Sequence, residues 1–392
     1  MTSRRALVAV LVAVAVVAGC TGSGSPLLAN EPAQRPIPTR SVAPSPPPVV
    51  DPVPVVLPRD DAPHHRLTEW WYYTGHLSDD AGGRWGFEYV VFRAERGGLP
   101  VSWASHLAIT DESGNRFAYA QRSEIGPQVD HSTSDTFDFA ITGADPALPA
   151  GSRPIAWTMA GGNGQDTLHA GANASEVLGT APGTAFVLNL DINDLRGPVL
   201  HDRDGWVDFG PAGGSYYYSR VFSTATGTLE IGGRTLRVDG MAWFDHQWGD
   251  FIAVGGGGWD WFAVNLADDT AFTLSLVRDR DGGYPLVYGT FVDGDGRAHH
   301  LDRSAFTVDV TKRWRSPASG VDYPAGWRIT IPGRHLVIDL TPTVAAQELD
   351  TRQSTGVVYW EGSQRVSATR TGIPVAGEAY VELTGYGAAA GG

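Results

Sequence analysis

Three features of the sequence predict an all-β protein built as two similar halves: short apolar runs between turn residues, abundant glycine and tryptophan, and an internal echo. Runs such as Phe87 to Arg93, Ala185 to Asp191, Arg234 to Phe244 and Trp327 to Ile331 are set off by Gly, Asp, Asn or Pro, the pattern of strands separated by tight turns. Long helical periodicity is hard to find. The 49 glycines and 13 tryptophans suit many turns around a wide interior, as in barrels that hold a ligand. The echo sets GFEYVVFRAE (Gly86 to Glu95) on AFTLSLVRDR (Ala271 to Arg280) without gaps, placing Phe87 over Phe272 and Arg93 over Arg278. Just upstream, Trp71-Tyr72 leads to Leu77-Ser78-Asp79-Asp80 as Trp261-Phe262 leads to Leu266-Ala267-Asp268-Asp269. Each half therefore opens on the same kind of hairpin, and a chain of 392 residues has the length for two domains.

Taken in order, the first element is a leader. Arg4 and Arg5 precede an apolar run from Ala6 to Val17, too short to span a bilayer and shaped like a signal peptide. The run ends in Val17-Ala18-Gly19-Cys20, which resembles the lipobox of bacterial lipoproteins, and Cys20 is the sole cysteine. That resemblance implies a signal over residues 1–19 and an acyl anchor on Cys20, so an exported protein held on the outer face of the cell membrane. Residues 20–63 are Gly/Ser-rich and then Pro-rich and are expected to form an extended linker. The folded part is expected as an N-terminal domain over residues 64–233 and a C-terminal domain over residues 234–387. The net charge of -14 offers no basic face to a nucleic-acid backbone and excludes that partner.

Familiar catalytic signatures are missing. The sequence holds no G-x-S-x-G elbow and no G-x-x-x-x-G-K-[ST] loop. The run Gly255 to Gly258 lacks the lysine and helix of a phosphate cradle and is expected as a loop at a barrel mouth. The pairs His64-His65 and His299-His300 would point to opposite faces of a strand, and no H-x-H or H-E-x-x-H spacing occurs, so no metal is expected. What stands out is WFDHQWGD, Trp243 to Asp250. Read as a strand, it puts Phe244, His246 and Trp248 on one face and Trp243, Asp245 and Gln247 on the other. A histidine among indoles titrates near neutral pH and either moves protons or sits hydrogen-bonded in the core. Two further clusters, TEWWYYTGH (Thr68 to His76) and GWDWF (Gly258 to Phe262), set Glu69 and Asp260 against tryptophan. Such acids have raised pKa values or pair with Arg93, Arg220 or Arg278, and ion pairing is the favoured expectation.

In order along the chain, EWWYYTGHL, SHLAITD (Ser105 to Asp111), the run from Tyr216 to Asp250 and GWDWFAVNLADD (Gly258 to Asp269) resemble the carotenoid 1,2-hydratase (CrtC, hydroxyneurosporene synthase) and AttH-type lipocalin-like family, over about residues 64 to 387. The resemblance implies two calycin/lipocalin-like antiparallel β-barrel domains packed together around a deep apolar cavity. It implicates His246 and Trp248 in catalysis, by protonation of an isoprenoid double bond to a cation that water captures, with Trp248 sheltering the cation. The acid should come from a Y-x-D arrangement, but Phe272 to Asp279 reads FTLSLVRD, leaving Asp245, Asp250 or Asp260 as substitutes. Trp70, Trp71, Trp243, Phe244, Trp259 and Trp261 are expected to bind the ligand, and His246 and Trp248 to line the cavity. The function expected is therefore the binding of an isoprenoid, polyene, polyketide or lipid, with acid-catalysed hydration of a C=C bond as its chemistry. A non-catalytic carrier, a pericyclase-type cyclase and a secreted hydrolase are the alternatives, and none of them calls for a cofactor.

Overall fold

The computed structural model describes residues 51–143, 156–251 and 256–387. The leader, Cys20 and the first part of the expected linker lie outside the described residues. Among the described residues two large curled antiparallel sheets, each a half-barrel, are accompanied by one small two-stranded sheet (Arg313–Arg315 with Asp322–Pro324), and no α-helix occurs. No described helix is long and apolar enough to cross a membrane.

The first sheet centres on three long neighbours: Gly214–Ile231 beside Arg234–Gly249 beside Thr68–Asp79. The order continues through Arg84–Ala94, Ser102–Asp111 and Arg116–Ile125 on one side and Phe186–Asp194, Gln165–Ala172, Trp157–Gly162 and Phe137–Ile141 on the other. The second sheet centres on Gly256–Leu266, flanked by Ala271–Asp279 and by Gly377–Leu383, the latter next to Val358–Arg370. The echoed segments are the second strands of the two hairpins, and Phe87 and Phe272 are both fully buried, each in the core of its own sheet.

Alternation decides what each sheet encloses. In Thr68–Asp79, Trp71, Tyr73 and Leu77 enter the core of the first sheet, whereas Trp70 and Tyr72 face the second sheet. Phe87, Tyr89 and Val91 turn inward while Val90 and Phe92 turn toward the second sheet. Phe262 and Val264 fill the core of the second sheet, and Trp259, Trp261 and Ala263 face the first. Strands buried on both faces carry apolar residues at consecutive positions, which is why these runs look continuously hydrophobic. The halves are tied by Asn265 Nδ2 donating to Val221 O (2.7 Å) and Thr110 Oγ1 to Gln347 Oε1 (2.7 Å).

Two boundaries differ from expectation. Gly232 and Gly233, both at positive φ, turn a hairpin that pairs Gly214–Ile231 with Arg234–Gly249. The strand from Arg234 therefore belongs to the first sheet, and the second begins at Gly256. The expected linker also ends early: Asp60 and Asp61 are buried, and Val55 and Leu57 pack on the core of the first sheet. Asp61 accepts a bond from Tyr218 OH and pairs with Arg220 (3.2 Å), while Asp51 pairs with Arg66 (2.7 Å). The segment ends in a short 3-10 turn, Arg59–Asp61, and its aspartates dock it. Gly256 to Gly258 open a strand; a Cβ at Gly258, where φ is +91°, would lie 2.3 Å from Thr384 O, so close backbone approach demands glycine there.

Candidate active site between the two sheets

The strand reading of Trp243 to Trp248 holds residue by residue. Phe244, His246 and Trp248 enter the core of the first sheet, and Trp243, Asp245 and Gln247 point the other way. The cavity lies on that second face, where the sheets meet. It opens to solvent at its mouth, and its walls are mainly aromatic and aliphatic, the usual character of a site for an apolar small molecule. Of the expected ligand-binding residues, Trp70, Trp259 and Trp261 line it, as does Asp245. Trp243 packs beside it against Trp261 (ring centroids 6.1 Å apart). Trp71, Phe244, His246 and Trp248 do not line it. Both His246 and Trp248 are buried, but inside the first sheet, so the expectation that they wall the cavity is not met.

His246 sits in a closed polar knot. Its Nε2 is 2.9 Å from Glu69 Oε1, and His64 Nδ1 is 2.7 Å from the same oxygen. The imidazole of His64 stacks on Trp248 at 4.1 Å, and His246 stacks on Trp71 at 4.5 Å. Burial would raise the Glu69 pKa, but bonds from His246 and His64 hold it below its ordinary value; burial pushes His246 down. The three donor atoms lie within 4.8 Å of one another, a spacing that suits a divalent cation. As they stand Glu69 Oε1 bridges the two rings, while His246 Nδ1 is buried without a protein partner. Sequence spacing missed this trio because His246 lies 177 residues from Glu69. Glu69 and Asp260 also meet the expected arginines, Arg93 at 3.8 Å and Arg278 at 3.3 Å.

Most polar groups around the cavity are carboxyls and phenols, with Gln247 and Ser275 beside them. Asp245 accepts from Tyr217 OH (2.6 Å), Trp243 Nε1 (2.6 Å) and Ser219 Oγ. Burial outweighs these bonds and raises its pKa to about 6. Behind Ser219, His201 Nε2 lies 2.6 Å from Oγ and its Nδ1 lies 2.9 Å from Thr290 Oγ1, with burial keeping the ring neutral. Glu88 also lines the cavity: Tyr359 OH donates to its Oε1 (2.9 Å), while its buried Oε2 has no protein partner. Burial lifts Glu88 to about 8, so at neutral pH it keeps a proton, and with Oε1 accepting, that proton belongs on Oε2. Glu382, bonded by Trp259 Nε1 at 2.9 Å, is raised by burial to about 7.

Glu88, Glu382, Tyr72, Tyr217, Tyr288 and Tyr359 line the cavity and were not singled out from the sequence. The available signal was Glu88 in the middle of an aromatic strand, GFEYVVF, where alternation alone reads it as solvent-facing. What the wall can do follows from its contents: aromatic faces for an apolar molecule, a neutral carboxylic acid to donate a proton, and a second carboxyl to accept one.

Comparison with known structures fits this geometry. The chain is similar to an AttH protein from Nitrosomonas europaea, with 26% identity, a TM-score of 0.72 and coverage of 86% of this chain and 99% of that one. It shares the fold of kievitone hydratase from Nectria haematococca, at 17% identity and a TM-score of 0.61, over 84% of this chain and 93% of that one. None of the curated proteins matches the chain. The family described as AttH-like matches residues 48–386, and with nearly the whole described fold inside that match, the chain belongs to the AttH-like family.

Proposed function

We propose that the cavity between the sheets takes a hydrophobic small molecule of the isoprenoid, polyene or polyketide kind and adds water across one of its C=C bonds. The observation that carries this reading is Glu88, a buried acid on the cavity wall with one oxygen free of protein partners. In the proposed step, Glu88 Oε2–H gives its proton to one alkene carbon and the positive charge develops on the other. The faces of Trp70, Trp259 and Trp261 stabilise that charge. Water attacks the cationic carbon, and Asp245, ionised at neutral pH, accepts the proton that water loses. The two carboxyls are set apart by their surroundings: Glu88 has one bond from a phenol, whereas Asp245 has three donors. His246 and Trp248 act from behind the strand, fixing the backbone that presents Asp245.

The leader and Cys20 support a further part of the proposal, an exported protein anchored by an acyl chain. Radiolabelled fatty acid incorporated into wild type but not Cys20→Ser supports the anchor, and no incorporation refutes it.

To test the chemistry, the protein is incubated with acyclic polyenes in isotopically labelled water. A product carrying one labelled oxygen, lost in Glu88→Gln, is the expected result. A polyene retained unchanged means a carrier, and ring closure without label means a cyclase.

A further inference from the structure

Most buried carboxyls elsewhere in this protein meet a cationic partner; Asp166, which accepts from Gly162 N at 3.0 Å, is an exception. Asp61 and Asp194 share Arg220, the latter at 2.8 Å; Glu112 faces His76 at 2.9 Å; Asp260 faces Arg278 at 3.3 Å. The cavity wall breaks this pattern. Among the described residues, Glu88, Asp245 and Glu382 form no ion pair, and neither does Glu361, buried just behind them and directly across from Glu382 on the neighbouring strand. Their bonds come from neutral donors only: Tyr359, Tyr217, Ser219, Trp243, Trp259 and, for Glu361, Tyr72 at 2.8 Å. No lysine, arginine or histidine lines the cavity. His106 and His201, the imidazoles behind the wall, are kept neutral by burial. One oxygen each of Glu88 and Glu361 is buried without a partner.

Opposed carboxylates would repel, and a buried carboxylate without a counter-charge costs several kcal/mol, so such groups hold protons until a counter-charge arrives. A wall of acids without bases is relieved when the ligand brings the missing charge. Indole and phenol faces add to the attraction, since a cation over an aromatic ring gains about 0.5 to 2 kcal/mol. We infer that the cavity selects lipophiles carrying a positively charged nitrogen, such as a tertiary or quaternary amine on an apolar skeleton, and rejects fatty acids and other lipophilic anions. This inference rests on the cavity being the ligand site and sharpens it by naming the charge of the ligand. The same field favours the cation that forms during hydration of an alkene.

Selection by charge also couples binding to protons. Burial keeps Glu88 and Glu382 protonated to about 8 and about 7 in the empty cavity. A bound cation favours ionisation of Glu382 first, the less strongly raised of the two, so it displaces that proton into solution while Glu88 keeps its own for the alkene.

The test is calorimetric titration of wild type with three probes sharing one tail, octyltrimethylammonium, octanol and octanoate, below their micelle concentrations. The expected order is cation, then alcohol, then carboxylate, with the cation at least about tenfold tighter than the carboxylate. In two buffers of different ionisation enthalpy the cation should release protons and the alcohol should not. In the double variant Glu88→Gln, Glu382→Gln the ratio of cation to octanol affinity should fall toward one, and an unchanged ratio overturns the inference whatever happens to the absolute affinities. If that variant does not fold, the proton release of wild type still decides. Alcohol and carboxylate binding as tightly as the cation overturns the inference and leaves the cavity reading intact. If none of the probes binds, the cavity reading falls and the inference with it.

Discussion

Replacing Glu88 by glutamine should flatten the pH dependence of stability, and the size of the effect follows from the burial of this carboxyl. In the unfolded chain Glu88 gives up its proton near 4.5, whereas in the folded protein it keeps it to about 8. The folded pKa is the higher one, so between these values the unfolded chain binds fewer protons. Stability is therefore full below about pH 4 and falls as pH rises toward 8. At 1.36 kcal/mol per pH unit the whole gap corresponds to about 5 kcal/mol. Coupling to Glu361, which shares the site, spreads part of this over two groups. Glutamine keeps the length of the side chain and an oxygen to accept from Tyr359 but has nothing to ionise. Urea unfolding of wild type and Glu88→Gln should agree within about 1 kcal/mol near pH 5 and diverge by a few kcal/mol near pH 9, with the variant the more stable. Parallel curves for the two proteins at all pH values would refute the claim that Glu88 is a buried neutral acid.

Other perturbations probe the scaffold. Arg220→Met strands Asp61 and Asp194, both otherwise compensated by that guanidinium, and should cost about 3 to 5 kcal/mol in urea unfolding at neutral pH; a change under 1 kcal/mol would mean the acids find other partners. His246→Ala removes a fully buried ring between Trp71 and Trp248 and one partner of Glu69, so a loss of about 3 kcal/mol is expected. If His246 acts only through packing, His246→Gln should recover part of the stability and of the turnover together; turnover lost at unchanged stability would place the imidazole in the chemistry. Beginning the chain at residue 64 removes Asp51 and Asp61 together with the bond from Trp71 Nε1 to Asp61 O (3.1 Å), and its melting temperature should fall by several degrees; an unchanged value would make the segment a passive tether.

Much of the fold was legible because alternation is a local property. Phe244, His246 and Trp248 share a face simply because strands repeat every two residues, and the hairpins around Phe87 and Phe272 announced themselves by their turns. Which face holds the cavity was not legible. Both faces of the stretch from Ala242 to Gly249 are buried, one by its own curled sheet and one by the other half of the protein, so an aromatic face marks burial without saying which side is hollow. Glu88 and Glu382 escaped notice for the same reason: in a strand buried on one side they would be ordinary solvent-facing acids. The border expected after residue 233 falls on the hairpin turn at Gly232 and Gly233, whose two strands pair within one sheet through contacts that no local pattern announces. Asp51 to Pro63 looked like a linker because proline content reports stiffness, whereas docking depends on Arg66, Tyr218 and Arg220, distant in sequence.

The cavity takes half its wall from each sheet: Trp70, Glu88 and Asp245 from the first, Trp259, Trp261 and Glu382 from the second. Neither half owns a binding site, so neither produced alone should retain the ligand. An occupant also works as mortar. Whatever holds it tightly holds the halves together, and a full cavity should make them melt as one unit where an empty one allows them to come apart in sequence.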